Sequence, residues 1–242
     1  MYEINTELKK QLKKPHQYLW KYYAEDRLLN LLDSSELFFT NVPKFTDNFE
    51  GLLPAKARNS FIRWCIDNGS SPTKAAQEAI HYENTRNNFY VSSWHVNDYE
   101  SYLMWKAYAN ESRGYAIRTT FERIKTAFNS FSGIINGGGI EYVNYADAHI
   151  NFGNVFNSVS TKDMPYSDES EFRLFFWKEY QQNKTHPIIE GGIKIPVDLS
   201  VLVECVYINP LIDQPSAKVQ EALLKHEIKW TSSLIRVQPT YV

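Results

Sequence analysis

The sequence predicts an α+β protein, a single globular domain over residues 1–242 with a mixed or antiparallel sheet core flanked by helices. Two observations predict this class. Short runs rich in aromatic and β-branched residues, which favour strands, are interspersed with segments of helical periodicity. In addition, no repeat, low-complexity tract or linker divides the 242 residues, of which 43% are hydrophobic. A chain of this length and composition can bury a substantial core.

The first part of the chain contains both kinds of segment. Ile4, Leu8 and Leu12 recur at i, i+4 spacing and predict an amphipathic helix, an appendage to the domain, that ends before Pro15. In order, the predicted elements are this helix over 3–14, a strand at Gln17–Tyr23, a helical turn or two at 27–32, a strand at Glu36–Thr40, and helices over 54–68 and 72–84, the second capped by Ser71.

The remainder continues the mixture. Gly137, Gly138 and Gly139 lie between apolar runs and predict a hairpin with a glycine turn. In order, the other predicted elements are a strand at Phe89–Trp94, a helix capped by Asp98, a strand at Gly114–Thr119, a helix over 120–129 capped by Thr120, strands at 193–197 and 201–208, a helix over 215–229 and a closing strand near 233–238.

Composition and charge exclude several classes of protein. A formal net charge of -2 argues against a broad nucleic-acid-binding surface. Cys65 and Cys205 are the only cysteines, so a disulfide framework or a zinc site is not expected. The six histidines lack metal-ligand spacing, and no metal is expected. The N-terminus is unlike a signal peptide and no apolar run is long enough to span a bilayer, which predicts a soluble, cytoplasmic protein with no membrane partner.

The segment from Tyr166 to Trp177 is the strongest candidate for a site. Read as a strand, it places Glu169, Glu171 and Arg173 on one face and apolar residues on the other. Two carboxylates beside a guanidinium on a rigid element form the kind of support that functional sites require. The alternative is a surface strand with an ordinary ion pair worth about 0–1 kcal/mol. In either case Arg173 is expected to pair with one of the glutamates.

The loop from Asn41 to Gly51 is a second candidate. It has the Pro, Asp, Asn and Gly of a loop, and it also contains Phe45 and Phe49 on either side of Asp47. Aromatic anchors predict a loop that is ordered and packed against the core while it presents acidic groups, Asp47 and Glu50.

Several segments taken together resemble a bacterial family known as domain of unknown function 2971. They are Leu19–Tyr22, Leu37–Phe39, Phe45–Gly51, Tyr90–His95, Glu100–Ser101, Met104–Trp105 with Tyr108, Gly114–Arg118, and finally Lys162, Tyr166, Glu169, Glu171 and Arg173. The resemblance spans nearly the whole chain. The chain departs from it at Lys21, Asn48 and Ser93, where family members usually carry Arg, Pro, and Cys or Phe. The resemblance suggests a role in phage defence or toxin activity.

A second resemblance is to the ADP-ribosyltransferase fold, which commonly has a basic residue on its first strand, a Ser-x-Ser-type segment on a middle strand and Glu-x-Glu on a late strand. Lys21, Ser92-Ser93 and Glu169-Ser170-Glu171 follow that order. The resemblance implies NAD as cofactor. It implies Glu171 as the carboxylate that stabilises a cationic ribose and Glu169 as the base that activates the acceptor.

The same resemblance implies a set of cofactor-binding residues, and the sequence adds residues that are expected to support the site. Lys21 would hold a diphosphate and a serine hydroxyl would fix the nicotinamide amide. The expected cofactor-binding residues are Lys21, Tyr22, Ser92 and Ser93. The expected supporting residues are Asp47, Glu50, His95, Trp105 and Arg173.

Two other functions are compatible with the same residues. The first is a metal-dependent nuclease, in which four carboxylates would bind a divalent ion that cuts nucleic acid. The four residues are Asp47, Glu50, Glu169 and Glu171. Alternatively, the aromatic loop and helices supply the surface of a non-enzymatic ligand sensor or interaction module. A nucleotide or another small molecule is the expected ligand in the transferase and sensor hypotheses. The sequence does not identify a protein or nucleic-acid acceptor.

Overall fold

A computed structural model describes residues 17–109, 113–181 and 188–235. Within these ranges the protein has helices and a nine-stranded, mixed and mostly antiparallel sheet, so the α+β prediction is confirmed. The predicted appendage helix over 3–14 lies outside the described residues, as do residues 236–238 of the predicted closing strand near 233–238. The prediction of one domain over 1–242 stays a prediction.

The strands are short, and most coincide with the aromatic and β-branched runs of the sequence. The described strands are β1 Tyr18–Ala24, β2 Glu36–Asn41, β3 Phe89–Val96, β4 Gly114–Thr120, β5 Asn136–Gly139, β6 Glu141–Val143, β7 Thr161–Asp163, β8 Glu171–Trp177, β9 Gly192–Pro196, β10 Cys205–Ile208 and β11 Trp230–Ser232. Strands β6 and β7 form a separate parallel pair, and the other nine belong to the large sheet.

The helices follow the predicted amphipathic segments, and hydroxyl side chains cap four of the described ones. Ser71 accepts a hydrogen bond from the Lys74 amide, and Thr120 does the same for Arg123, as predicted. The described α-helices are α1 Glu25–Ser34, α2 Ala55–Asp67, α3 Pro72–Asn84, α4 Tyr102–Tyr108, α5 Phe121–Ala127, α6 Phe156–Val159, α7 Leu199–Leu202 and α8 Ala217–Lys225.

The chain divides into two compact units, and the division falls inside β2, β3 and β9. The described residues of the first unit are 39–92, 133–181 and 188–193. Those of the second unit are 17–38, 93–109, 113–132 and 194–235.

The first unit contains the antiparallel pairing of β5 with β8, in which Gly138 faces Arg173. One apolar cluster in this unit includes Val42, Phe89 and Phe175, with Phe45 packed against it. A second cluster joins helices α2 and α3 through Phe61, Ala79 and neighbouring residues. The first of these clusters lies beside the strand that carries the predicted acidic residues.

The second unit is built on β1, which pairs antiparallel with β4 over its whole length and with β3 near its start. Strand β4 pairs with β10, and β10 pairs in parallel with β11. β4 begins at Gly114, where a Cβ atom would lie 2.0 Å from the Ala109 carbonyl oxygen, so the close approach of the chain requires glycine. Trp20, Tyr22 and Trp105 belong to an apolar cluster of this unit.

Three predicted local features are wrong. Ser101 rather than Asp98 caps α4, because its hydroxyl accepts the Met104 amide hydrogen bond. The glycines at 137–139 form strand β5 instead of a hairpin turn. Residues 199–202 form helix α7, and Asp198 caps its N-terminus. The strand predicted over 201–208 therefore begins only at Cys205.

Candidate functional site

Five charged side chains of the first unit meet at the start of β8, and we call them the charged cluster: Glu50, Lys162, Glu169, Glu171 and Arg173. Strand β8 supplies Glu171 and Arg173, and β7 supplies Lys162. Glu169 is the last residue of a 3-10 helix, Met164–Glu169, and Glu50 lies in the loop before α2. The cluster therefore joins four separate segments of the chain.

Arg173 is the centre of the charged cluster and is 1% exposed. Its Nε and Nη2 atoms donate to the two carboxylate oxygens of Glu171 at 2.7 and 2.9 Å, a bidentate pair. Its Nη1 atom donates to Glu50 Oε1 at 2.6 Å and to the Val159 carbonyl oxygen at 2.8 Å. Burial opposes the charge, but Glu171 and Glu50 outweigh it and raise the pKa of Arg173. The predicted pairing of Arg173 with a glutamate is confirmed.

Lys162 is the second cation of the charged cluster. Its Nζ atom lies 2.5 Å from Glu169 Oε2, 3.7 Å from Glu171 Oε2 and 4.0 Å from Glu50 Oε2. It also lies 4.5 Å from the centre of the Tyr166 ring. Burial lowers the pKa of Lys162, but the carboxylates, Glu171 first, outweigh burial and raise it overall. Lys162 thus links the solvent-accessible Glu169 to the buried Glu171.

The predicted strand placement of Glu169 is wrong. Ser170 adopts a left-handed conformation with φ of 39°, which ends the 3-10 helix and separates Glu169 from β8. Glu169 joins the charged cluster through Lys162 instead of through strand alternation. The alternative of a surface strand is wrong, because Glu171 and Phe172, on opposite faces of β8, are 5% and 0% exposed.

The loop before α2 contributes Glu50, which is 3% exposed, to the charged cluster. Phe45 packs on the apolar cluster of β3 and β8, with the Arg173 guanidinium 5.4 Å from its ring. Phe49 is 68% exposed, so its predicted role as a second anchor is wrong. Asp47 accepts the Phe49 amide hydrogen bond at 2.9 Å, and this contact lies within the loop.

Two side chains near Glu171 were not assigned to the candidate site by sequence reasoning. The Tyr142 hydroxyl oxygen accepts the Glu171 amide hydrogen bond at 2.8 Å. Burial, followed by the charge of Glu171, raises the pKa of Tyr142. Lys162 was recognised only through the family resemblance and was not assigned to the site. Neither residue has a sequence spacing that connects it with Glu171.

The remaining predicted site residues are divided between the units. In the second unit, Lys21 Nζ donates to the Ser93 carbonyl oxygen at 2.8 Å. Tyr22 Oη accepts the Ser101 amide hydrogen bond, and its ring contacts Trp105 edge-on at 5.1 Å. Trp105 also donates to Glu100 at 3.0 Å, so both aromatic side chains have structural partners.

The two serines and His95 of β3 complete the predicted set. Ser92, in the first unit, is 1% exposed and His95, in the second, is 4% exposed. The hydroxyls of Ser92 and Ser93 have no hydrogen-bond partner among the described residues. The structure thus brings Glu50, Glu169, Glu171 and Arg173 together in one unit, and Lys21 with the Ser93 backbone in the other.

Comparisons with protein-family models, curated proteins and solved structures find no match to the chain. In the described ranges, no group of three or more His, Cys, Asp and Glu side chains is arranged to hold a metal ion. Across the same part of the chain, no helix is long and apolar enough to cross a membrane. The functional argument therefore depends on the geometry of the residues.

Proposed function

We propose that the protein is an ADP-ribosyltransferase-like enzyme that consumes NAD and that Glu171 carries its chemistry. The observation that supports this most is the fixation of Glu171 at the start of β8. Both of its carboxylate oxygens are held by Arg173, and its amide is held by Tyr142. A carboxylate that is already oriented loses no reorganisation energy when charge develops next to it.

The net charge of the cluster also supports the proposal. Three carboxylates, those of Glu50, Glu169 and Glu171, surround two cations and leave one excess negative charge. Cleavage of the bond between nicotinamide and ribose builds positive charge on the sugar, as in glycoside hydrolysis. An excess negative charge in a largely buried cluster stabilises such a transition state more strongly than it would in water.

Glu169 is suited to a different task. Its side chain is 19% exposed, against 7% for that of Glu171, so Glu169 is the end of the charged cluster nearest to solvent. An acceptor that approaches from solvent meets this carboxylate first. We assign Glu169 as the base that deprotonates the acceptor nucleophile.

The pairing within the charged cluster favours a transferase over a metal-dependent nuclease. Glu50 and Glu171 both direct carboxylate oxygens at the Arg173 guanidinium. A divalent ion bound between these carboxylates would have to displace an arginine that makes four hydrogen bonds. No such displacement is required for a sugar cation that develops outside the cluster.

The experiment is NAD turnover by the purified protein, with and without candidate protein and nucleic-acid acceptors. Glu171→Gln preserves size and removes the charge, with the loss of one of the two hydrogen bonds from Arg173 because an amide nitrogen does not accept. We expect it to lower turnover by about 10²–10³-fold with little change in NAD affinity. Glu50→Gln removes the other carboxylate on Arg173 and is the matched control for disruption of the ion pairs. It removes the excess negative charge of the cluster but leaves the Glu171 carboxylate in place, so turnover should fall by no more than about ten-fold.

A second control lies away from the cluster. Glu83→Gln changes a glutamate that pairs with Arg58 at 3.3 Å in the same unit, and its turnover should equal that of wild type. Glu169→Gln should impair transfer to an acceptor while slow hydrolysis of NAD to water continues. The proposal is wrong if wild type neither binds nor consumes NAD, or if Glu50→Gln and Glu171→Gln lose the same activity.

A further inference from the structure

One face of the sheet in the second unit carries an unusual set of buried hydrogen-bond donors. The antiparallel register pairs Leu19 with Thr119 and Leu19 with Val96 on the two neighbouring strands. Since side chains alternate along a strand, five polar residues of these three strands in the second unit share the Leu19 face. Tyr115 is one of them, and we call the other four the donor face: Lys21 and Tyr23 on β1, Trp94 on β3, and Thr119 on β4.

Three of these side chains are buried without a partner. Tyr23, Trp94 and Thr119 are 8%, 1% and 0% exposed. Within the described ranges, Tyr23 Oη, Trp94 Nε1 and Thr119 Oγ1 have no hydrogen-bond partner. Buried polar atoms in folded proteins nearly always have one, and each that does not destabilises the fold. Three such atoms on one sheet face therefore require an explanation.

Lys21 gives the donor face its charge. Its Nζ atom lies 5.8 Å from the centre of the Tyr23 ring and 5.5 Å from that of the Trp94 ring. Ring faces attract the ammonium group and hold it in place. Burial raises the pKa of Tyr23, so its hydroxyl stays protonated and able to donate.

We propose that the donor face binds a phosphate group of a small ligand. The Lys21 ammonium group, the Tyr23 hydroxyl and the Trp94 indole N–H supply hydrogen-bond donors, and one of them is cationic. Thr119 lies opposite Leu19, four positions or about 13 Å along β1 from Tyr23, so the same phosphate does not reach it. A phosphate offers several acceptor oxygens in a tetrahedral arrangement, which suits donors that come from two strands better than the two coplanar oxygens of a carboxylate. Lys21 is also the residue expected to hold the diphosphate of NAD, and the proposal adds Tyr23 and Trp94 to it. Phosphate binding is measured apart from NAD turnover, so this proposal and the proposed function fail separately.

Calorimetric titration with three compounds tests the ligand class. Inorganic diphosphate and ADP carry phosphate, whereas adenosine is the matched compound without it. We expect ADP to bind at least about ten-fold more tightly than adenosine. Equal binding of diphosphate and ADP identifies free phosphate as sufficient, and binding of ADP alone identifies a nucleotide phosphate. The proposal is overturned if neither phosphate compound binds.

Three variants locate the binding. Lys21→Met removes the charge, whereas Tyr23→Phe removes a single hydroxyl and keeps the shape of the side chain. Each should weaken binding of the phosphate compound at least about five-fold. Thr119→Val, which removes the distant hydroxyl of the same face, is the matched control and should leave binding unchanged. Binding that Lys21→Met and Tyr23→Phe leave unchanged, or that Thr119→Val weakens as much as they do, would place the ligand elsewhere and overturn the proposal.

Thermal stability gives an independent readout, for which Tyr115 is the matched control. It lies directly opposite Tyr23 on the same face, but its hydroxyl is used: it donates to Glu25 at 3.2 Å and accepts the Ser216 amide hydrogen bond at 3.1 Å. Tyr115→Phe should lower the melting temperature by about 2–4 °C. Tyr23→Phe should leave it unchanged or raise it. If Tyr23→Phe is as destabilised as Tyr115→Phe, the hydroxyl of Tyr23 has a structural role and the proposal fails.

Discussion

The charged cluster of the first unit and the donor face of the second unit both bury polar side chains on sheet strands, but they treat hydrogen bonding in opposite ways. In the charged cluster, Arg173 and Lys162 each contact carboxylates. On the donor face, three buried donors have no partner among the described residues. The groups of the charged cluster find their partners within the folded chain. Buried donors without a partner in the chain indicate an acceptor that is supplied from outside it.

The chemistry of the residues explains the difference. The charged cluster combines both signs of charge, so its members satisfy one another and offset the cost of leaving water. The donor face combines an ammonium group, an indole and two hydroxyls, and none of these four side chains is a carboxylate. Lys21 donates to the Ser93 carbonyl oxygen, whereas the other three donors have no acceptor among the described residues.

The largest effect should come from Arg173→Met. The substitution leaves Glu50 and Glu171 buried without their guanidinium, and we expect it to lower the free energy of unfolding by about 3–5 kcal/mol. Urea denaturation measures this. Arg58→Met, which breaks the more exposed pair with Glu83, is the control. It should lower the free energy of unfolding by at most about 1 kcal/mol. Equal losses in the two variants would mean that the charged cluster contributes no more than a surface pair.

Lys162→Met should have a smaller effect that depends on pH. We expect it to lower the free energy of unfolding by about 1.5–3 kcal/mol near neutral pH. The folded-state pKa of Lys162 is raised above its usual value of 10.5. The stability it contributes is therefore fully present below that value and is lost as the pH rises through the folded-state pKa. Urea denaturation at several pH values should show the difference between wild type and variant shrinking above pH 10.5. A difference that is constant or grows with pH contradicts the assigned ion pairs.

Much of the fold was predictable because its signals are local. Aromatic and β-branched runs marked β1, β3 and β4, and the hydroxyls of Ser71 and Thr120 marked the starts of two helices. Helix caps and strand propensity act over a few residues, so a sequence window contains the information. Where two local signals competed, at Asp98 and Ser101, the sequence did not reveal which side chain would reach the helix amide.

The candidate site was predictable only in part, because it is assembled by contacts between distant residues. Alternation along β8 predicted the pair of Arg173 with Glu171, two residues apart. It did not predict the hydrogen bond from Arg173 to Glu50, which joins residues 123 positions apart. Glu169 was misplaced because the left-handed conformation of Ser170, a residue without a glycine's freedom, carries no sequence signal.

The donor face was not predicted, although Lys21 and Ser93 were singled out. Alternation in β1 places Lys21 and Tyr23 on one face, but the absence of an acceptor for Tyr23 depends on every segment that packs around it. An unsatisfied donor is a property of the tertiary structure, so no window of the sequence contains it.

The most direct test of the contrast is the free energy of unfolding of two tyrosine variants, measured side by side without ligand. Tyr142→Phe removes the oxygen that accepts the Glu171 amide hydrogen bond, and Tyr23→Phe removes a donor without a described partner. We predict that Tyr142→Phe lowers the free energy of unfolding by about 0.5–1.5 kcal/mol and that Tyr23→Phe leaves it unchanged or raises it. A loss for Tyr23→Phe equal to or larger than that for Tyr142→Phe would contradict the account.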